Sequence, residues 1–135
     1  MRDFHKNIKI VHAITPAAVG TTGIAGGKIS GALDRRGYDA AEFIINSGAS
    51  ASVADTITPV VYEGDTTGGS FTSVASADLI GDETALTLTA AKSKSIGYRG
   101  NKRYLKIRLY GTATATAIVA ATLLLASPDN APVAT

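Results

Sequence analysis

The chain has 135 residues, no cysteine and a formal charge of +2. One domain with room for a core is expected, and a disulfide framework and thiol chemistry are excluded. So small a net charge gives no ground for nucleic-acid binding, and the weight of Ala, Thr, Gly and Ser over helix formers predicts β structure.

Residues 1–6 are polar, with no apolar run and cleavage site behind them, and read as a loose arm rather than a signal peptide. Residues 7–15 alternate Ile8, Ile10, His12 and Ile14 against Lys9, Val11 and Ala13, which predicts a strand ended by Pro16. Residues 17–28 carry Gly20, Gly23, Gly26 and Gly27 and read as a flexible loop. A short strand over 29–33 then meets the turn Asp34-Arg35-Arg36-Gly37. Residues 38–46 resume with Ala41, Phe43 and Ile45 inward and Glu42 and Asn46 outward; a helical turn is the alternative there. Residues 56–63 give a strand whose Pro59 marks an edge or a bulge. Short strands over 70–75 and 85–91 follow, separated by a turn through Gly81-Asp82.

The stretch 95–109 is the densest in positive charge. Leu105, Ile107 and Leu109 alternate with Tyr104, Lys106, Arg108 and Tyr110, a half-buried strand with aliphatics inward. Arg99-Gly100-Asn101-Lys102 before it reads as the tight turn of a hairpin against which the rest packs. Residues 112–126 form an apolar, Thr-laced strand too short to span a membrane, so no membrane is expected. Its end, Leu123 to Leu125, is apolar on both parities and is expected to be buried on both faces or covered by a partner subunit. Residues 127–135, with Pro128 and Pro132, read as a tail. Many short strands and no βαβ unit predict an all-β, single-domain antiparallel β-sandwich, or a barrel-like closure of jelly-roll type, with an N-terminal arm and a C-terminal tail.

Chemistry is sparse. His5 and His12 share neither parity nor a third ligand, the acids lack a calcium-loop spacing, and no cofactor or metal is expected. Gly26-Gly27-Lys28 fails the phosphate-loop pattern, since Thr22 and Ile29 stand where Gly and Ser or Thr belong. No enzyme is expected. Charge is unevenly spread: nine of the eleven acids lie between Asp34 and Glu83, and seven of the thirteen bases between Lys92 and Arg108. The two groups can pair within the chain or across subunits. The basic cluster, with Tyr98, Tyr104 and Tyr110 among its cations, has three readings. It is a solvated strand face, a protein interface in which Arg99 and Arg103 fork onto a neighbour's carboxylates, or a stacking platform for single-stranded nucleic acid.

Asp34-Arg35-Arg36-Gly37-Tyr38-Asp39 with Phe43 resembles the DRxGYxxxxF signature of small head proteins of tailed phages and prophages. Ile96-Gly97-Tyr98-Arg99-Gly100-Asn101-Lys102-Arg103-Tyr104 is similar to the IGYxGxKRYxR signature of that family. The start, Arg2-Asp3 to Lys9-Ile10, and the ending, Ala131-Pro132-Val133, match its shape more weakly. The Gly20 to Lys28 loop is longer and richer in glycine than the pattern, and Lys106 and Arg108 add charge. The resemblance implies a capsid decoration, or cement, protein made in the host cytoplasm and carried on the virion surface. Its partners would be the major capsid protein and sister subunits, in a homotrimer at a lattice three-fold site, with nucleic acid not expected. Contacts are expected at Arg2, Phe4, Arg35, Arg36, Tyr38, Arg99, Lys102, Arg103, Tyr104 and Pro132. The alternatives are a head–tail joining or tail-tube subunit, or a carbohydrate-binding adhesion module stacking sugars on Tyr62, Tyr98 or Tyr104.

Overall fold

The computed structural model describes residues 4–19, 27–52, 54–112 and 116–130. Two antiparallel sheets face each other, as the alternation predicts. The five-stranded sheet runs in the order β1 (Ile8–Ala18), β11 (Ile118–Pro128), β4 (Tyr38–Ser47), β9 (Lys92–Tyr98), β7 (Leu79–Ile80). The second sheet centres on β10 (Tyr104–Gly111) and β5 (Thr56–Gly64). The short strands β2 (Lys28–Ile29) and β3 (Leu33–Asp34) pair with β10, and β6 (Thr72–Ser73) and β8 (Leu86–Thr87) with β5. His5–Asn7 and Ser76–Asp78 form single 3-10 turns.

The inner faces meet through residues of one parity. Phe43 and Ile45 of β4 and Leu123 and Leu125 of β11 are fully buried, and so are Leu105, Ile107 and Leu109 of β10. Each such side chain contributes roughly 1.5–3 kcal/mol by leaving water.

Several boundaries differ from the pattern. Pro16 does not end β1, which continues to Ala18; the register with β11 shifts between Ile14 and Ala17, and this irregularity accommodates a residue without an N–H. The strand expected over 29–33 is two short pieces. Between them Ser30 binds one residue twice: its N–H donates to the Ile107 carbonyl at 2.9 Å, and its Oγ accepts from the Ile107 N–H at 3.0 Å. Pro59 lies where the outer edge of β5 runs unpaired between its contacts with β8 and β6, so its missing N–H costs no ladder bond on that side.

The largest departure concerns 95–109. It is not a hairpin. β9 pairs with β4 and β7, whereas β10 pairs with β5, β2 and β3, so residues 99–103 carry the chain from one sheet to the other. The strand expected from 112 begins at Ile118; residues 113–115 lie outside the described set, as do the loop at 20–26 and the ending at 131–135. Ser127 and Pro128 belong to the end of β11 rather than to a tail. Leu124 is not sealed on the outer face of its sheet, unlike its neighbours Leu123 and Leu125.

Candidate functional site: the arginine-linked turns

The turn after β3 and the crossing between β9 and β10 sit side by side at one end of the sandwich. Asp34 Oδ1 accepts from the Arg36 N–H at 2.9 Å, the local bond that makes Asp a turn residue, and Gly37 takes a φ of 86°. The turn aims Arg35 at the crossing. Its Nε donates to the Lys102 carbonyl at 2.6 Å, and one terminal nitrogen donates to the Gly100 carbonyl at 2.8 Å. Its backbone N–H donates to the Arg103 carbonyl at 3.1 Å, and the guanidinium stands 5.2 Å from the centre of the Tyr98 ring. A planar fork with several fixed donors suits this task, and a lysine would not.

Tyr98 closes the unit from beneath. It is buried, its hydroxyl donates to Glu63 Oε2, and the hydroxyl oxygen accepts the Lys102 N–H at 3.0 Å. Burial, then the Glu63 carboxylate, pushes its phenol up to about 12. A Cβ at position 100 would fall on the Tyr98 hydroxyl, so only glycine lets the chain cross so closely over the ring.

The outer cations have carboxylate partners. Arg103 grips Asp34 with two bonds, at 3.0 and 2.7 Å, holding the Asp34 carboxyl below its ordinary range, and covers the Tyr104 ring at 4.8 Å. Lys102 Nζ lies 2.7 Å from Asp65, and Lys94 Nζ 2.5 Å from Asp82, whose carboxyl is also held low by Lys94 and Thr84. The acidic middle and the basic later segment therefore pair within the chain at these three places.

Of the residues expected to meet a partner, Arg35, Arg36, Tyr38, Lys102, Arg103 and Tyr104 come together here. Arg35, Arg36, Tyr38 and Arg103 line a cleft of about 320 Å³ with Asn101 and Asp129, and the Asp129 N–H donates to the Gly37 carbonyl at 2.9 Å. Arg35 directs its guanidinium at carbonyls of this chain. Of Arg99 and Arg103, expected to fork onto a neighbour's carboxylates, Arg103 holds Asp34 of this chain instead, and Lys102 beside it holds Asp65. Arg36 and Arg99 are exposed, and Phe4 stands apart at 61% exposure just before the first 3-10 turn. Arg2 and Pro132 lie outside the described residues.

Tyr98 cannot stack a sugar because it is buried. Tyr62 and Tyr104 remain on the outer face of the second sheet. Along β10 that face reads Tyr104, Lys106, Arg108, Tyr110, with Tyr62 opposite Lys106 and Val60 opposite Arg108; Lys106 also covers Phe71 at 4.1 Å. Sequence reasoning missed the Arg35 and Tyr98 roles. The signal for Tyr98 was present, since it shares the inward parity of Ile96 in β9. Among the described residues no group of His, Cys, Asp and Glu is placed to hold a metal ion, and no helix is long and apolar enough to cross a membrane.

No family model and no curated protein matches this sequence. Solved structures do share the fold. The CBM22-1-GH10 modules of Clostridium thermocellum xylanase 10B, solved with xylohexaose, align over 98% of this chain at 12% identity with a TM-score of 0.52, and this chain spans 29% of that one. A xylan-binding domain from CBM 22 aligns over 96% of this chain and 91% of its own, at 10% identity and a TM-score of 0.44. A pilus protein of Bacillus endospore appendages covers 95% of each chain at 11% identity and 0.43. At such identities the xylanase alignment is one of architecture alone: the chain is a β-sandwich of two antiparallel sheets.

Proposed function

We propose that the domain is a non-enzymatic structural protein that decorates and stabilises the icosahedral head of a tailed phage by binding its major capsid protein. The observation behind this reading is the junction of the two turns. The resemblance to phage head proteins rests on two short motifs, and Arg35 of the first bonds carbonyls 65 and 67 residues away in the second. Both motifs therefore belong to one hydrogen-bonded unit, and the reading rests on that unit. Cement proteins bury surface across capsomer joints and need no active site. Arg36, Arg99 and Phe4 are exposed for such contacts, and a trimer would place three sets of them at a lattice three-fold site. Mass spectrometry and cryo-EM of purified particles test it. Hundreds of copies on the shell are expected, and absence from the particle ends the reading; a single ring of subunits would point to head–tail joining.

A second reading, a carbohydrate-binding adhesion module, is favoured by the outer face of the second sheet. Tyr62, Tyr104 and Tyr110 offer rings for stacking, and Lys106 and Arg108 add directional donors. The likeness to the xylanase module gives this reading an architectural precedent that the first lacks. Titration calorimetry with xylohexaose, together with a glycan array, tests it. Binding lost in Tyr62→Ala and Tyr104→Ala supports the reading, and silence on the array removes it.

A further inference from the structure

The outer face of the five-stranded sheet has a composition that neither reading above uses. In an antiparallel sheet with one wet face, that face ordinarily carries the polar half of the alternation. Here the outward residues of β11 are Ile118, Ala120, Thr122, Leu124 and Ala126, with no charge among them. Across the strands the register aligns Ile10, Leu124, Glu42, Gly97 and Ile80 in one row. Ile10 and Ile80, at its two ends, are 68% and 58% exposed. Leu124, Glu42, Gly97 and Ile80 also line a shallow groove of about 170 Å³. With strands roughly 4.8 Å apart and about 3.3 Å per residue, the rows through Ile8, Ala126 and Ala40 and from Ile10 to Ile80 cover on the order of 20 by 13 Å, or about 250 Å² in projection. The rest of the face is mixed or polar, with His12, Thr122, Asn46, Ser93 and Ser95, so the apolar part is about a third of the roughly 800 Å² one partner contributes to a standard interface.

One residue decides what can cover it. Glu42 sits on β4, the central strand of five, in the middle of the apolar row. No hydrogen bond or ion pair reaches its carboxylate among the described residues. A two-fold pairing of this face with itself about an axis near its central row would bring two Glu42 carboxylates together as their water is removed, and like charges across an interface are strongly disfavoured. We infer that this face docks a different protein, one presenting a flat apolar surface with a single Lys or Arg opposite Glu42. The inference rests on the cement reading, in which that protein is the shell subunit, and it identifies the side of the sandwich that lies against the shell.

Two experiments test it. The first needs no partner: sedimentation of the free protein, its Glu42→Leu variant and the double variant Glu42→Leu, Leu124→Asp. Removing the carboxylate should let the face pair with itself, so Glu42→Leu should double its mass with concentration, and Leu124→Asp should reverse this. A Glu42→Leu protein that sediments like the parent overturns the inference. So does a parent that already pairs through this face and is separated by Leu124→Asp. The second measures binding to heads purified from the phage encoding the chain and lacking this protein. Glu42→Lys and Leu124→Asp should each lose at least tenfold in binding with unchanged melting. Binding equal to the parent overturns the docking face and leaves the cement reading standing. A parent that does not bind heads overturns the cement reading, and the sedimentation result then decides the face alone.

Discussion

The linked turns and the outer face of the five-stranded sheet invert the usual association of charge with contact. The turns hold the densest charge in the chain, yet Arg35, Lys102 and Arg103 direct theirs at groups of the same chain. The sheet face sets one carboxylate, Glu42, in an apolar row between the exposed Ile10 and Ile80. Charge density therefore marks where this fold is fastened, and charge scarcity marks where it is open. The distinction is testable, because fastening residues move stability and open-face residues do not.

The largest effect is expected at Arg35. Arg35→Ala leaves the Gly100 and Lys102 carbonyls without their donor in a half-buried site and takes the cation from the Tyr98 ring, a loss of about 2–4 kcal/mol. Arg35→Lys should recover little of it, since one ammonium cannot reproduce the fork. Urea denaturation measures both, and a loss within about 0.5 kcal/mol would return the turns to the class of ordinary surface.

Tyr98 comes next. Tyr98→Phe removes the bonds to Glu63 and to the Lys102 N–H, at a cost of about 1–2 kcal/mol. The parent should also show an alkaline signature. The phenol titrates near 12 in the folded chain against an ordinary 10, so folding holds its proton more tightly. Its contribution is complete below pH 10, falls as the pH rises from 10 towards 12, and is lost above that. Denaturation midpoints across that window should drop in the parent more steeply than in Tyr98→Phe, with tyrosinate absorbance reporting the titration.

Arg103 should matter less. Its pair with Asp34 is bidentate but solvent-exposed, so Arg103→Ala should cost less than Tyr98→Phe, and salt should shrink the difference. Asp34 is held below its ordinary range, so what the pair contributes is present above that range and is lost as the pH falls through the lowered value. A midpoint difference between parent and variant that closes in acid would show this.

How legible these regions were follows from the range of the interactions. Alternation is local, so the inward sets Ala41, Phe43, Ile45 and Leu105, Ile107, Leu109 could be read directly, and the sandwich with them. The parity of Glu42 was legible too, as an outward residue. What surrounds it was not, because the row from Ile10 to Ile80 exists only once four strand registers are set. The same limit turned β9 and β10 into an expected hairpin: a short turn between two strands looks alike whether they pair or part into different sheets. Nothing near Arg35 in sequence announces carbonyls 65 and 67 residues away.

The smallest effect on stability belongs to the open face. Ile10→Ser and Ile80→Ser sit at the two ends of the central row, outside the core and more than half exposed. Each should change unfolding free energy by no more than about 0.5 kcal/mol, in contrast to Arg35→Ala. Both should lower the binding of an apolar dye and raise solubility, because an exposed apolar patch is sticky whether or not its partner is present. A loss of stability comparable to that of Arg35→Ala would mean that these isoleucines are held by the fold, and the contrast between fastened turns and open face would then collapse.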